Sequence, residues 1–210
     1  MSELLSRATG LCSEEAGMVV AILAHSIHLI PNDMRTLIVS AGCAFAIAGC
    51  ATADLPEHRA VAQLIAAPGS SSAGRVMFTE RAGQLLVRAE VAGLRANAEH
   101  GMHVHEIGRC DTPDFETAGG HFNPAGGPHA YPAVSGSHAG DLPNVRSDAR
   151  GEARYSAESH SGATLQSGPR SIIGRSIVIH RDADDYRSQP SGSSGPRIAC
   201  GVIQAVTESK

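Results

Sequence analysis

Two histidines, His103 and His105, stand two positions apart in the stretch GMHVHEIGRC, residues 101–110. On a β-strand that spacing sends both rings to one face, a few ångströms apart. A third histidine, His180, ends the run RSIVIH and is placed to face the pair from a neighbouring strand. Three imidazoles from two strands suit a tetragonal copper ion, and copper heads the divalent affinity series. Between these strands lie His121, His129, His138 and Asp141, at spacings of eight, nine and three residues. Imidazoles with one carboxylate suit tetrahedral zinc, which imposes no d-electron preference of its own. Each piece alone is a weak signal, because histidine-rich loops are often simply polar. Two such sets in one stretch of chain point to a metal protein.

The elements that must position these residues are strands. Short β-type runs broken by turn signals occur at 75–80 (RVMFTE), 84–94 (QLLVRAEVAGL), 100–108, 151–159 (GEARYSAES), 170–180 and 197–206 (RIACGVIQAV). No segment after residue 50 keeps a helical period, so the expectation is an antiparallel sandwich or barrel. The chain is 42% hydrophobic but only 3% aromatic, so Val, Ile, Leu and Ala must fill the core. Two connections are long, 106–144 and 181–196, and each begins directly after a histidine-bearing strand. Long structureless loops in a small β-domain usually carry function.

The first fifty residues read differently. From Met34 a short positive start leads into an uncharged apolar run, Leu37 to Gly49, of secretory length. It ends in Ile47-Ala48-Gly49-Cys50, which resembles a bacterial lipobox with Cys50 as the lipid-accepting residue. An ordinary secretory signal cut near residues 51–53 is the alternative. The expected organisation is an over-long gene start at 1–33, a signal peptide at 34–49, a tether at 50–73 ending in AAPGSSSAG, and the functional domain at 74–210. Export to the periplasm or cell envelope follows, with any membrane contact made through lipid on Cys50. Of five cysteines, only Cys110 and Cys200 then remain, and in an oxidising compartment they pair by default. Closing that loop of about ninety residues stabilises the fold by roughly 4 kcal/mol. The net charge of −4 gives no reason to expect nucleic acid as a partner.

The stretches HGMHVHEIGRC, AGGHFNP, HAGDLPN, IIGRSIVIHRDADDY and GPRIACGVI, in this order, resemble the copper,zinc superoxide dismutases of the bacterial exported branch. The resemblance implies an all-β fold, an eight-stranded Greek-key barrel or immunoglobulin-like sandwich with two long functional loops. It also implies copper on His103, His105, His121 and His180, and zinc on His121, His129, His138 and Asp141, with His121 as a bridging imidazolate. Asp184 would join a copper histidine to a zinc histidine, and His100 would bond backbone near the copper strand. Arg197 would be the active-site guanidinium, held in place by the Cys110–Cys200 disulfide. The implied activity is disproportionation of superoxide to dioxygen and hydrogen peroxide by alternate reduction and oxidation of copper.

Ala130 departs from the family's commonest pattern, which has Gly there. His58 and His160 match no ligand position and read as surface histidines. Counting from residue 51, Lys plus Arg number 15 against 17 Asp plus Glu, a net of −2. Steering of an anionic substrate must therefore be local, from Arg197 with Arg181 or Arg187. A metal-binding module without dismutase activity is the competing reading, and because bacterial relatives occur as monomers and as dimers, a homodimer stays open.

Overall fold

The computed structural model describes residues 56–132 and 136–207. The segments read as gene start and signal peptide, and Cys50 with them, lie outside these residues. Among the described residues ten strands form: β1 Glu57–Ala66, β2 Ala73–Arg81, β3 Gln84–Ala92, β4 Glu99–His100, β5 Met102–His105, β6 Val145–Arg146, β7 Ala153–Ser159, β8 Ser176–His180, β9 Arg197–Val202 and β10 Gln204–Ala205. The only helical element among the described residues is a 3-10 turn, Glu116–Ala118.

The main sheet runs β5-β8-β9-β1-β2-β3-β7 and is antiparallel throughout, with β10 also on β1. β4 pairs with β6, continues through Gly101 into β5, and β6 packs beside β7. This second pair brings the two edges of the curled sheet together. Alternation sets the core: Val76 and Phe78 on β2, Leu85, Val87, Ala89 and Val91 on β3, and Ile177 and Ile179 on β8 all point inward. With few aromatic residues, small and branched side chains fill the space; Phe78 stands opposite Ala60 of β1 and Val87 of β3.

The expected tether needs correction. Its middle, Glu57–Ala66, is β1, whose Ala60, Ala62 and Leu64 are buried in the core. Burial alternates there, but Val61 and Ile65 on the other face are apolar too and the inward positions are mostly alanine, so no period-two pattern stands out in the sequence. The stretch after it, 67–72, is the β1–β2 connection, and the Ser72 hydroxyl donates to the Gly93 carbonyl at 3.1 Å. The two long connections fall where expected, between β5 and β6 and between β8 and β9.

Candidate metal centre

β5 separates its side chains cleanly. Met102 and Val104 enter the core, while His103 and His105 face outward beneath the long loops. On β8, His103 stands opposite Val178 and His105 opposite Ser176, so His180 emerges on the same outer face. The other edge of β5 is extended by the first loop: His105 bridges to His121 and His103 to Asp141. Main-chain bonds lock this arrangement, with Val104 N–H donating to Gly140 O at 2.9 Å and Phe122 N–H to Val104 O at 2.8 Å. Residues far apart in sequence thereby form a second layer over the barrel wall.

Two clusters result. In His103, His105, His121 and His180, one ligand atom from each residue lies within 4.8 Å of every other, and the same holds for His121, His129, His138 and Asp141. His121 belongs to both. All seven residues are buried, the most exposed being His121 at 8%.

Hydrogen bonds fix which ring nitrogen each histidine offers. His103 Nε2–H donates to Asp184 Oδ2 at 2.7 Å, His105 Nδ1–H to Gly119 O at 2.9 Å, and His180 Nδ1–H to Gly195 O at 3.0 Å. Each partner only accepts, so the opposite nitrogen carries a lone pair. Those nitrogens, His103 Nδ1, His105 Nε2 and His180 Nε2, together with His121 Nε2, are buried without a hydrogen-bond partner. Buried polar atoms are rarely orphaned, and a converging group of them fits a metal. Burial, then the crowding of neighbouring imidazoles, lowers the pKa of His180 to about 3 and that of His121 to about 4, and holds His105 well below its ordinary value. The rings are neutral and ready to ligate.

The second cluster centres on one oxygen. Asp141 Oδ1 lies 2.9 Å from His121 Nδ1, 2.9 Å from His129 Nδ1 and 3.3 Å from His138 Nδ1. His129 already donates through Nε2 to Asp184 Oδ1 at 2.9 Å, so in its neutral form it turns a lone pair toward the Asp141 carboxylate. Two lone pairs at that distance repel unless positive charge lies between them. Burial pushes the His129 pKa down, but Asp141 and Asp184 outweigh it and raise it to about 9. The spacing is close to the edge of a tetrahedron with ligands about 2.0–2.1 Å from zinc. The donor set therefore fits the metal, and Ala130 N–H donates to the carboxylate's other oxygen at 3.0 Å. Ala130 is absent from the residues with left-handed backbone, so glycine is not needed there.

Asp184 joins the clusters through its two oxygens. Its own backbone is gripped by Asn144, which accepts from Asp184 N–H and donates to Asp184 O, both at 2.9 Å. Gln189 grips His129 in the same way, accepting from its N–H at 2.8 Å and donating to its carbonyl at 2.9 Å. Gly192, at φ +64°, leaves room for the Asp184–His129 hydrogen bond: a Cβ there would lie 1.7 Å from Asp184 Oδ1. No sequence signal assigns a role to Gln189 or Gly192, or to Asn144 by itself. Asn144 ends the motif HAGDLPN, while nothing in local sequence marks Gln189. His100 Nδ1–H bonds the His180 carbonyl at 2.9 Å, as expected.

Arg197 reaches the first cluster through an irregularity. Ile179 pairs with Ala199 but His180 pairs with Arg197, so Ile198 is an extra residue in β9. Such a bulge re-aims the side chain beside it. The guanidinium donates through Nη1 to Phe115 O at 2.6 Å and through Nη2 to Gly119 O at 2.8 Å. Phe115 and Ala118 pack with Val178, Cys200 and Cys110 in a small outer core, and Cys110 and Cys200 are disulfide-bonded with Cα atoms 5.6 Å apart. Arg197 lines a depression of about 420 Å³ with His105, His121 and His180. Arg181, expected to assist, does not line it: its guanidinium pairs with Asp182 at 2.9 Å. Arg187 is exposed and also does not line it. His58 and His160 are exposed, as expected.

Residues 72–203 match the family model described as copper/zinc superoxide dismutase. The chain belongs to this family. It is 38% identical over 185 residues to a copper–zinc superoxide dismutase of Deinococcus radiodurans, covering 82% of this chain and 98% of the relative. Identity is also 38% over 170 residues to superoxide dismutase [Cu-Zn] 2 of Aquifex aeolicus, covering 79% of this chain and 96% of the relative. A solved double mutant of a SOD-like protein from Bacillus subtilis superposes with a TM-score of 0.62 at 37% identity, covering 69% of this chain and 96% of that one. The enzyme is thus an oxidoreductase using copper and zinc, built on the family's β-barrel.

Proposed function

We propose that the protein disproportionates superoxide at the first cluster, two superoxide anions and two protons giving one dioxygen and one hydrogen peroxide. The single observation that carries this is His121, which belongs to both clusters, with Nδ1 on Asp141 and Nε2 left without a hydrogen-bond partner, while Arg197 lines the depression beside it. In this reading His103, His105, His121 and His180 hold copper, and His121, His129, His138 and Asp141 hold zinc. Copper supplies two oxidation states one electron apart, and zinc supplies a fixed charge.

The chain's residues do the rest. Arg197, tied to two carbonyls and only 13% exposed on its side chain, draws an anion into the depression and orients it. His121 is held on the Asp141 side through Nδ1, which leaves Nε2 as the atom that takes and returns a proton at the pit. Asp184 keeps the protons of His103 and His129 on Nε2, so both rings offer Nδ1.

Export and a lipid anchor on Cys50 complete the proposal. They are supported by the Met34–Cys50 sequence and by the disulfide, which suits an oxidising compartment. The test is a superoxide assay on protein loaded with copper and zinc, with Arg197→Ile beside it. Disproportionation is expected, slower in the variant and less dependent on ionic strength. A fully loaded protein that leaves superoxide untouched would refute the reading.

A further inference from the structure

Glu116 opens the 3-10 turn at the lip of the copper-side depression, and it lines that depression with Arg197. Its Oε2 lies 3.4 Å from Arg197 Nη2, and its side chain is 71% exposed against 13% for the arginine. A carboxylate in that place could act in two ways. It could hold the guanidinium in position, or it could cancel part of the field the guanidinium presents to solvent.

The geometry decides between them. Arg197 already donates to two main-chain carbonyls, at 2.6 and 2.8 Å, and these belong to a segment packed under the disulfide. The Glu116 contact is longer than either and made from solvent, where an ion pair fixes little. Its negative charge, however, lies where every anion must pass, because Arg197 is reached from the same mouth. Resting on the dismutase reading above, we propose that Glu116 is a charge filter: it slows entry of any anion, and it slows multiply charged anions most.

The size of the effect follows from Coulomb's law. At a separation of about 6 Å in water, a carboxylate lowers the encounter of a singly charged anion by about threefold and of a doubly charged one by about tenfold, before salt screening. A singly charged substrate is therefore tolerated, while phosphate, which fits a guanidinium as a fork, is held off. The cost in rate secures a pit free of competing anions.

The test is Glu116→Gln in the full chain loaded with copper and zinc. Three quantities are read: the superoxide rate against ionic strength, the azide affinity from the copper absorption band, and inhibition by inorganic phosphate at pH 7.5. The expected result is a rate and an azide affinity two- to threefold higher at low ionic strength, converging with the parent at high salt. Phosphate inhibition should tighten by a larger factor than azide binding. An unchanged rate and azide affinity, or equal factors for phosphate and azide, would overturn the filter. A fall in rate would show Glu116 to be a positioning residue for Arg197 instead. A parent protein without dismutase activity would count against the function itself, and the azide titration, repeated with phosphate as competitor, would still judge Glu116.

Discussion

Replacing Asp184 by Asn tests how the two metal sets depend on a group that belongs to neither. The carboxylate receives His103 Nε2–H on Oδ2 at 2.7 Å, and His129 Nε2–H and Tyr186 N–H on Oδ1 at 2.9 and 2.6 Å. Asparagine keeps the shape but offers one acceptor and one donor. With its oxygen toward His129 and Tyr186, its NH2 faces His103 Nε2, and the His103 proton must move to Nδ1. In the proposed assignment that is the atom His103 gives to copper, so the copper set would lose a ligand. With the amide reversed, His129 suffers the same exchange and the zinc set is weakened, while Tyr186 N–H faces a donor. Either way one charge-assisted bond inside a buried site is lost, about 1.5–3 kcal/mol. By the usual tenfold per 1.4 kcal/mol this weakens one metal about 10- to 150-fold, in line with the loss seen when outer partners of metal histidines are removed. Competition titrations of copper and zinc against chelators of known affinity measure it directly. The expected result is one metal strongly weakened and the other less so. Both affinities within twofold of the parent would refute the tautomer reasoning.

Glu80 offers a pH test away from the metals: burial raises the pKa of this 3%-exposed carboxylate, but bonds from Leu165 N–H, Gln166 and Thr164 outweigh it and hold the pKa below the ordinary range. A depressed carboxylate stabilises the fold above its unfolded pKa, roughly 4.3, and that contribution fades as pH falls through the folded value. Glu80→Gln should therefore lower stability by about 2 kcal/mol at pH 7 and by much less at pH 3, read from urea midpoints; a gap independent of pH would contradict this. Replacing Cys110 and Cys200 by serine together should cost roughly 4 kcal/mol of stability. It should also lower the superoxide rate per bound copper, since Phe115 and Gly119 would hold Arg197 less firmly, and an unchanged rate would free the arginine from dependence on the disulfide.

Much of the site could be read from residue type and spacing, because strand alternation is a strong constraint. His103 and His105 had to share a face, and loops beginning directly after two histidine strands had to bring His121, His138 and Asp141 back over it. The disulfide followed from having two cysteines left. What could not be read depends on contacts between loops. Gln189 grips His129 across sixty residues of chain, and no local pattern announces it. The pairing of Arg197 with His180 depends on a single extra residue, Ile198, that strict alternation would have placed differently. Arg181 carries the right charge, but its neighbour Asp182 spends it. β1 is hard to see for a different reason: alanine at 60 and 62 hides the inward side of a strand that looks like linker.

That early first strand shortens whatever moors the domain. Six residues separate Cys50 from Glu57, and the seven Cα-to-Cα steps fully stretched reach about 24 Å. β1 and β8 both run antiparallel to β9, so Glu57 lies at the end of the barrel where β8 begins, and His180 and Arg197 lie toward the end where β8 finishes. A lipid on Cys50 would thus keep the barrel on a leash shorter than the bilayer is thick, with the pit at the end away from its root. Such an enzyme would patrol the thin layer of water next to the membrane and little beyond it.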